Sequence, residues 1–132
     1  MDTLIGTRSF PAEGTHLHRV RSLIREQADQ AALSSHVTGD LLIAVSEACA
    51  NSALHTDCDE LTVRWSLGKD RAEVAVEDDG VFEPTIPMPE LNADGRGGRG
   101  IPLMMALMDE VTIRQGTDAA PGTTVRLVKY QG

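Results

Sequence analysis

The stretch Leu41–His55, LLIAVSEACANSALH, decides how the chain is read. Apolar residues fall on almost every side of it, so the periodicity predicts a helix buried nearly all round. Glu47, Asn51 and His55 stand at four-residue steps within it. A step of four advances a helix by about 400°, so these side chains line one face, each about 40° round from the last. Ala44 and Ala48 interleave with them and leave room beside the polar row. An acid, an amide and an imidazole on a buried helix mark a place that holds something polar. Taken alone, the row suits a metal, an acid–base pair or a nucleotide equally well, and His55 alone reads more readily as structural.

Upstream, TLIGTRSF at 3–10 reads as a short edge strand stopping at Pro11. From Thr15 to about Ala32, Leu17, Val20, Leu23, Ile24, Ala28 and Ala31 recur at helical spacing, with Arg19, Arg21 and Arg25 outside. Those arginines are a solvated face or a docking surface. Ser34 or Ser35 can cap the central helix, expected from about His36 to Thr56.

Downstream come two strands with clean alternation. Leu61, Val63, Trp65 and Leu67 share one face, and after the turn LGKD so do Ala72, Val74 and Val76. Continuing the period puts Asp78 on that inward face, where an ionised carboxylate is costly unless it accepts strong hydrogen bonds. The plainer reading is a turn residue, because Asp-Asp-Gly is good turn chemistry.

From 81 to 100 the sequence reads VFEPTIPMPELNADGRGGRG, rich in proline and glycine and without apolar period. A segment of that length inside one domain is usually a functional loop or lid. It runs into IPLMMALM, a helix with Pro102 in its first turn. Glycine-rich helix starts bind phosphate, since their free N–H groups and the positive dipole end point at the anion. Met104, Met105 and Met108 are expected to pack in the core. Val111 and Ile113 alternate in one closing strand, and Thr123, Val125 and Leu127 in another, making Thr123 a further polar group on an inward row. The order of elements favours one domain spanning 1–132. Its expected fold class is α/β: a two-layer sandwich with a mixed, mostly antiparallel sheet and helices on one face.

Composition narrows the function. The 132 residues carry a formal net charge of −8 with only 3% aromatics. This excludes a basic nucleic-acid groove or a surface for anionic membranes. No apolar run approaches the roughly 20 residues of a membrane span, and the first residues lack the charged and apolar regions of a signal peptide. Cys49 and Cys58 have no zinc spacing and read as reduced thiols in a cytoplasmic protein. Gly95, Gly97 and Gly100 do spell G-x-G-x-x-G, but a proline-rich loop precedes them rather than a strand, so no dinucleotide fold is implied.

Four features remain in a fixed order: Glu-xxx-Asn-xxx-His on a helix, Asp-x-Gly ending a strand, a glycine-rich lid entering a helix, and Gly-Thr opening the last strand. In these the chain resembles the GHKL (Bergerat-fold) ATP-binding domains, and among them the small anti-sigma-factor serine kinases of the RsbW type. Glu47–His55 resembles the family's N box, Asp78-Asp79-Gly80 its first glycine box, Gly98-Arg99-Gly100 its second, and Gly122-Thr123-Thr124-Val125 its last motif. The likeness runs from about Phe10 to Leu127. Gly80-Val81-Phe82 departs from it, lacking a second glycine.

The resemblance implies ATP and Mg²⁺ as cofactors and assigns roles. Asp78 accepts the adenine amino group, with Thr123 supporting that contact and Gly80 beside it. Asn51 ligates Mg²⁺. Gly98, Arg99 and Gly100 cradle phosphate, and Glu47 takes the proton from an incoming serine. It further implies a kinase that phosphorylates an anti-anti-sigma (STAS-type) antagonist, regulates a sigma factor by partner switching, and forms a homodimer. The alternative is a nucleotide-dependent protein-binding module of the same fold without kinase activity.

Overall fold

The structure, a computed structural model, describes residues 3–11, 17–55, 60–78, 100–114 and 122–131, with only the backbone at 51–55 and 100–101. Among these residues, strands β1 (Leu4–Pro11), β2 (Glu60–Leu67), β3 (Arg71–Asp78), β4 (Glu110–Arg114) and β5 (Thr123–Tyr130) form one sheet. Its order is β1-β2-β3-β5-β4, and all four ladders are antiparallel. Helices α1 (Leu17–Gln30), α2 (Ser35–His55) and α3 (Gly100–Leu107) pack on one side of it. The expected two-layer sandwich is therefore present, with β1 at an edge. The lid expected at 81–100 lies outside the described residues up to its last position, Gly100, which opens α3.

Period-2 alternation produces the inner face. Leu61, Val63, Trp65 and Leu67 are buried along β2, Ala72, Val74 and Val76 along β3, and Val125 and Leu127 along β5. Against them α1 lays Val20, Ile24 and Ala28, spaced by four, while Arg19, Arg21 and Arg25 stay exposed. The turn after α1 closes with Leu33 N–H donating to the Ala28 carbonyl at 3.0 Å around Ala32, whose φ is +59°. Ser34 then caps α2, its Oγ accepting from Val37 N–H at 3.1 Å. Cys49, on the buried side of α2, is a free thiol that burial pushes up to about 12.

One expectation needs correcting. Met104 and Met108 are core residues, but Met105 is 64% exposed. On α3 the buried position is Met104, with Met108 just past the helix end continuing the same side, and Met105 lies about 100° round from Met104.

The opposite face of the sheet is polar. Glu73 accepts from Arg126 at 2.7 and 3.1 Å and from Arg71, while Glu110 pairs with Arg126 at 3.5 Å and accepts from the Tyr130 hydroxyl. These groups surround Val128, which pairs with Glu73 on one side and Glu110 on the other and is fully buried. Arg126, then Arg71, holds the Glu73 carboxyl below the usual carboxylate range against a smaller opposing effect of burial.

Candidate nucleotide site

Sheet register builds the site. Asp78 ends β3 and stands directly opposite Thr123, which opens β5. The two residues are 45 apart in sequence, and only the insertion of β5 between β3 and β4 makes them neighbours. Both are buried, at 8% and 4% exposure, as the alternation of their strands requires. Thr123 N–H donates to Asp78 Oδ1 at 3.2 Å. Thr123 Oγ1 is buried with no hydrogen-bond partner among the described residues. A buried hydroxyl without a partner costs about 1–3 kcal/mol, so this one is suited to a polar group brought in from outside.

Gly122 sets the approach to this pair. Its φ is +121°, and a Cβ there would sit 3.0 Å from the Asp78 carbonyl oxygen. No other residue type meets both conditions without strain. Gly122→Ala is expected to cost about 2 kcal/mol, read as a fall of several degrees in the thermal midpoint.

On α2, Glu47 is half-buried beside the fully buried Ala44 and Ala48. Asn51 and His55 follow at one and two further turns of the same helix, their side chains outside the described set. Position 51 thus carries an amide oxygen, a donor that suits a hard cation such as Mg²⁺, one turn from the Glu47 carboxylate. Gly100 is the first residue of α3. Gly80, Gly98 and Arg99 lie outside the described residues. Packing of α2 against α3, β3 and β5 gathers the elements that carry the others.

Sequence reasoning missed one group connected to these elements. Lys129 continues the inward row Thr123–Val125–Leu127 and, at its far end, bonds to both α2 and α3. The signal was present in the period, as it was for Asp78. Chemically, the site offers a buried carboxylate acceptor, to which an N–H donor of a planar heterocycle is well matched, beside a helix with oxygen-bearing side chains.

The pattern of the histidine kinase-like ATPase domain matches residues 10–129. The chain belongs to that family. Within it, the chain is 34% identical to the serine-protein kinase RsbW of Bacillus velezensis over 92% of its length and 82% of that protein. It is 31% identical to the Bacillus subtilis protein of the same name, over 91% and 81%. It is therefore a member of the RsbW group. Two solved structures share the fold. The RsbU and RsbW domains of a Mycobacterium tuberculosis protein superpose with a TM-score of 0.73 at 19% identity, covering 98% of this chain and 33% of that one. The histidine kinase domain of a blue-light activated kinase from Erythrobacter litoralis does so at 0.55 and 21%, covering 91% and 61%. No helix among the described residues is long and apolar enough to cross a membrane.

Proposed function

We propose that the protein is an ATP-dependent serine kinase and anti-sigma factor. It phosphorylates an anti-anti-sigma antagonist of STAS type on a serine and, when unopposed, holds a sigma factor. It does so in the cytoplasm through one ATP-binding domain. The carrying observation is the buried Asp78–Thr123 pair at one end of the β3–β5 ladder, an acceptor and a hydroxyl without a partner among the described residues, in a chain whose relatives are named serine-protein kinases.

In this reading Asp78 accepts the adenine amino group, adding to the Thr123 N–H a second donor for a buried carboxylate. Thr123 Oγ1 supports the same contact, through a water. Asn51 supplies an amide oxygen to Mg²⁺, an ion that keeps several waters and needs few protein ligands. Backbone N–H groups at Gly98, Arg99 and Gly100 would supply the donors for the phosphates, as free amides at a glycine-rich helix start do, and Gly80 would belong to the adenine side of the site. Bound ATP supplies the phosphoryl group. Glu47 orients the acceptor serine and takes its proton as the serine oxygen bonds to phosphorus and ADP departs.

Labelled ATP, Mg²⁺ and a purified anti-anti-sigma protein test this directly, with phosphoserine as the expected product. In Glu47→Gln, transfer is expected to fall by roughly 10²- to 10⁴-fold. Nucleotide at 100 times its Kd should still raise stability by about 2.7 kcal/mol, as in the wild type. Undiminished transfer in the variant removes Glu47 from this role. Binding of both protein partners without any phosphoserine leaves a nucleotide-dependent binding module instead.

A further inference from the structure

The ammonium of Lys129 sits under the helices with its side chain 17% exposed. It donates to the carbonyl of Leu107, the last residue of α3, at 2.7 Å, and pairs with the Asp40 carboxylate of α2 at 3.2 Å. Asp40 is itself 17% exposed and faces the largely exposed His36 imidazole at 3.5 Å. One cation on β5 thus joins both helices that flank the proposed phosphate site. A half-buried ion pair of this kind is a poor source of net stability, and an apolar side chain of similar volume often serves as well or better. What the charge adds is a fixed geometry between three elements.

That geometry has a direction. Asp40 lies 11 residues before Asn51 along α2, and Leu107 lies seven residues after Gly100 along α3. At 1.5 Å per residue the tie is about 16 Å from one and about 10 Å from the other. Both helices therefore run from a common fastening toward the site, and a tilt of about 5° at the fastening moves the far end of α2 by more than 1 Å. A misplacement of that size can cost up to about 100-fold in a reaction step, and it also lengthens the contacts that hold the phosphates. The adenine pair escapes this effect, because Asp78 and Thr123 are held by the ladder between β3 and β5.

We infer that Lys129 is a positioning residue for the nucleotide phosphates, setting the gap between α2 and α3 through Asp40 and the Leu107 carbonyl. This rests on the site proposed above, and the test separates the two. The Kd values of adenosine and of a non-hydrolysable ATP analogue with Mg²⁺ are measured by calorimetry, well below the thermal midpoint of each variant. In Lys129→Met the analogue is expected to bind roughly tenfold more weakly while adenosine is unchanged. Lys129→Arg should restore most of the loss, and Asp40→Asn should reproduce it without adding to it in the double variant.

A merely structural lysine would weaken both ligands together or neither, and either result overturns the inference while leaving the site intact. A wild-type protein that binds neither ligand overturns both. If Lys129→Met does not fold, Asp40→Asn carries the same comparison, and equal effects on the two ligands there refute the role.

Discussion

An Asp78→Asn variant is expected to fold like the wild type and to lose ATP affinity by roughly two to four orders of magnitude. The fold survives because the amide is isosteric and its oxygen still accepts the Thr123 N–H that now reaches Oδ1. The loss arises on the other side of the group, where an acceptor becomes an NH₂ donor facing the exocyclic amine of adenine. Two donors then meet where Asp78 is 8% exposed and Thr123 4%, so bulk water has little access to offset the mismatch. Sites built to hydrogen-bond one group reject its mismatched counterpart far more strongly than apolar pockets reject a methylene. Calorimetry with a non-hydrolysable analogue reads the loss, and an affinity within about threefold of wild type would remove Asp78 from adenine recognition.

The largest effect on stability is expected at Gly6→Ala. A Cβ on Gly6 would lie 2.3 Å from Cζ2 of Trp65, 2.5 Å from Cε2 and 2.9 Å from Nε1. The ring cannot swing aside freely: it is 7% exposed, and its Nε1–H donates to Gln27 Oε1 of α1 at 3.2 Å. Relief therefore requires moving β1 or α1, at a cost of about 3 kcal/mol and a fall of roughly 10 °C in the thermal midpoint. Trp65 is the only tryptophan, so its fluorescence reports the same transition. Gly39→Ala is the control, since a Cβ there meets nothing within 4 Å and a helical alanine gains up to about 1 kcal/mol over glycine. Equal midpoints for Gly6→Ala and wild type would mean that the strand and helix shift without cost.

What the sequence disclosed follows from how local each feature is. β3 was legible to the residue because a strict period of two needs no information from elsewhere, and the same period placed Asp78 and Thr123 inside. The helix carrying Glu47 and Asn51 was legible from its composition. Strand order was not legible, because chain order is silent on β5 entering between β3 and β4, and so the hydrogen bond joining Asp78 to Thr123 could not be foreseen. Met105 was misplaced because a helix of eight consecutive mostly apolar residues conceals which stripe is buried. The close approach of Gly6 to Trp65 is a contact across a ladder, invisible until register pairs them.

Register also decides where other molecules can be attached. Leu4 pairs with Leu67, Leu67 with Ala72, and Ala72 with Lys129, so β1 begins and β5 finishes along one margin of the sheet. Asp78 and Thr123 occupy the opposite margin, six residues or about 20 Å away along β3. A fluorophore, an affinity tag or a whole neighbouring domain tethered beside Leu4 or Tyr130 is therefore attached on the margin away from the proposed adenine pair.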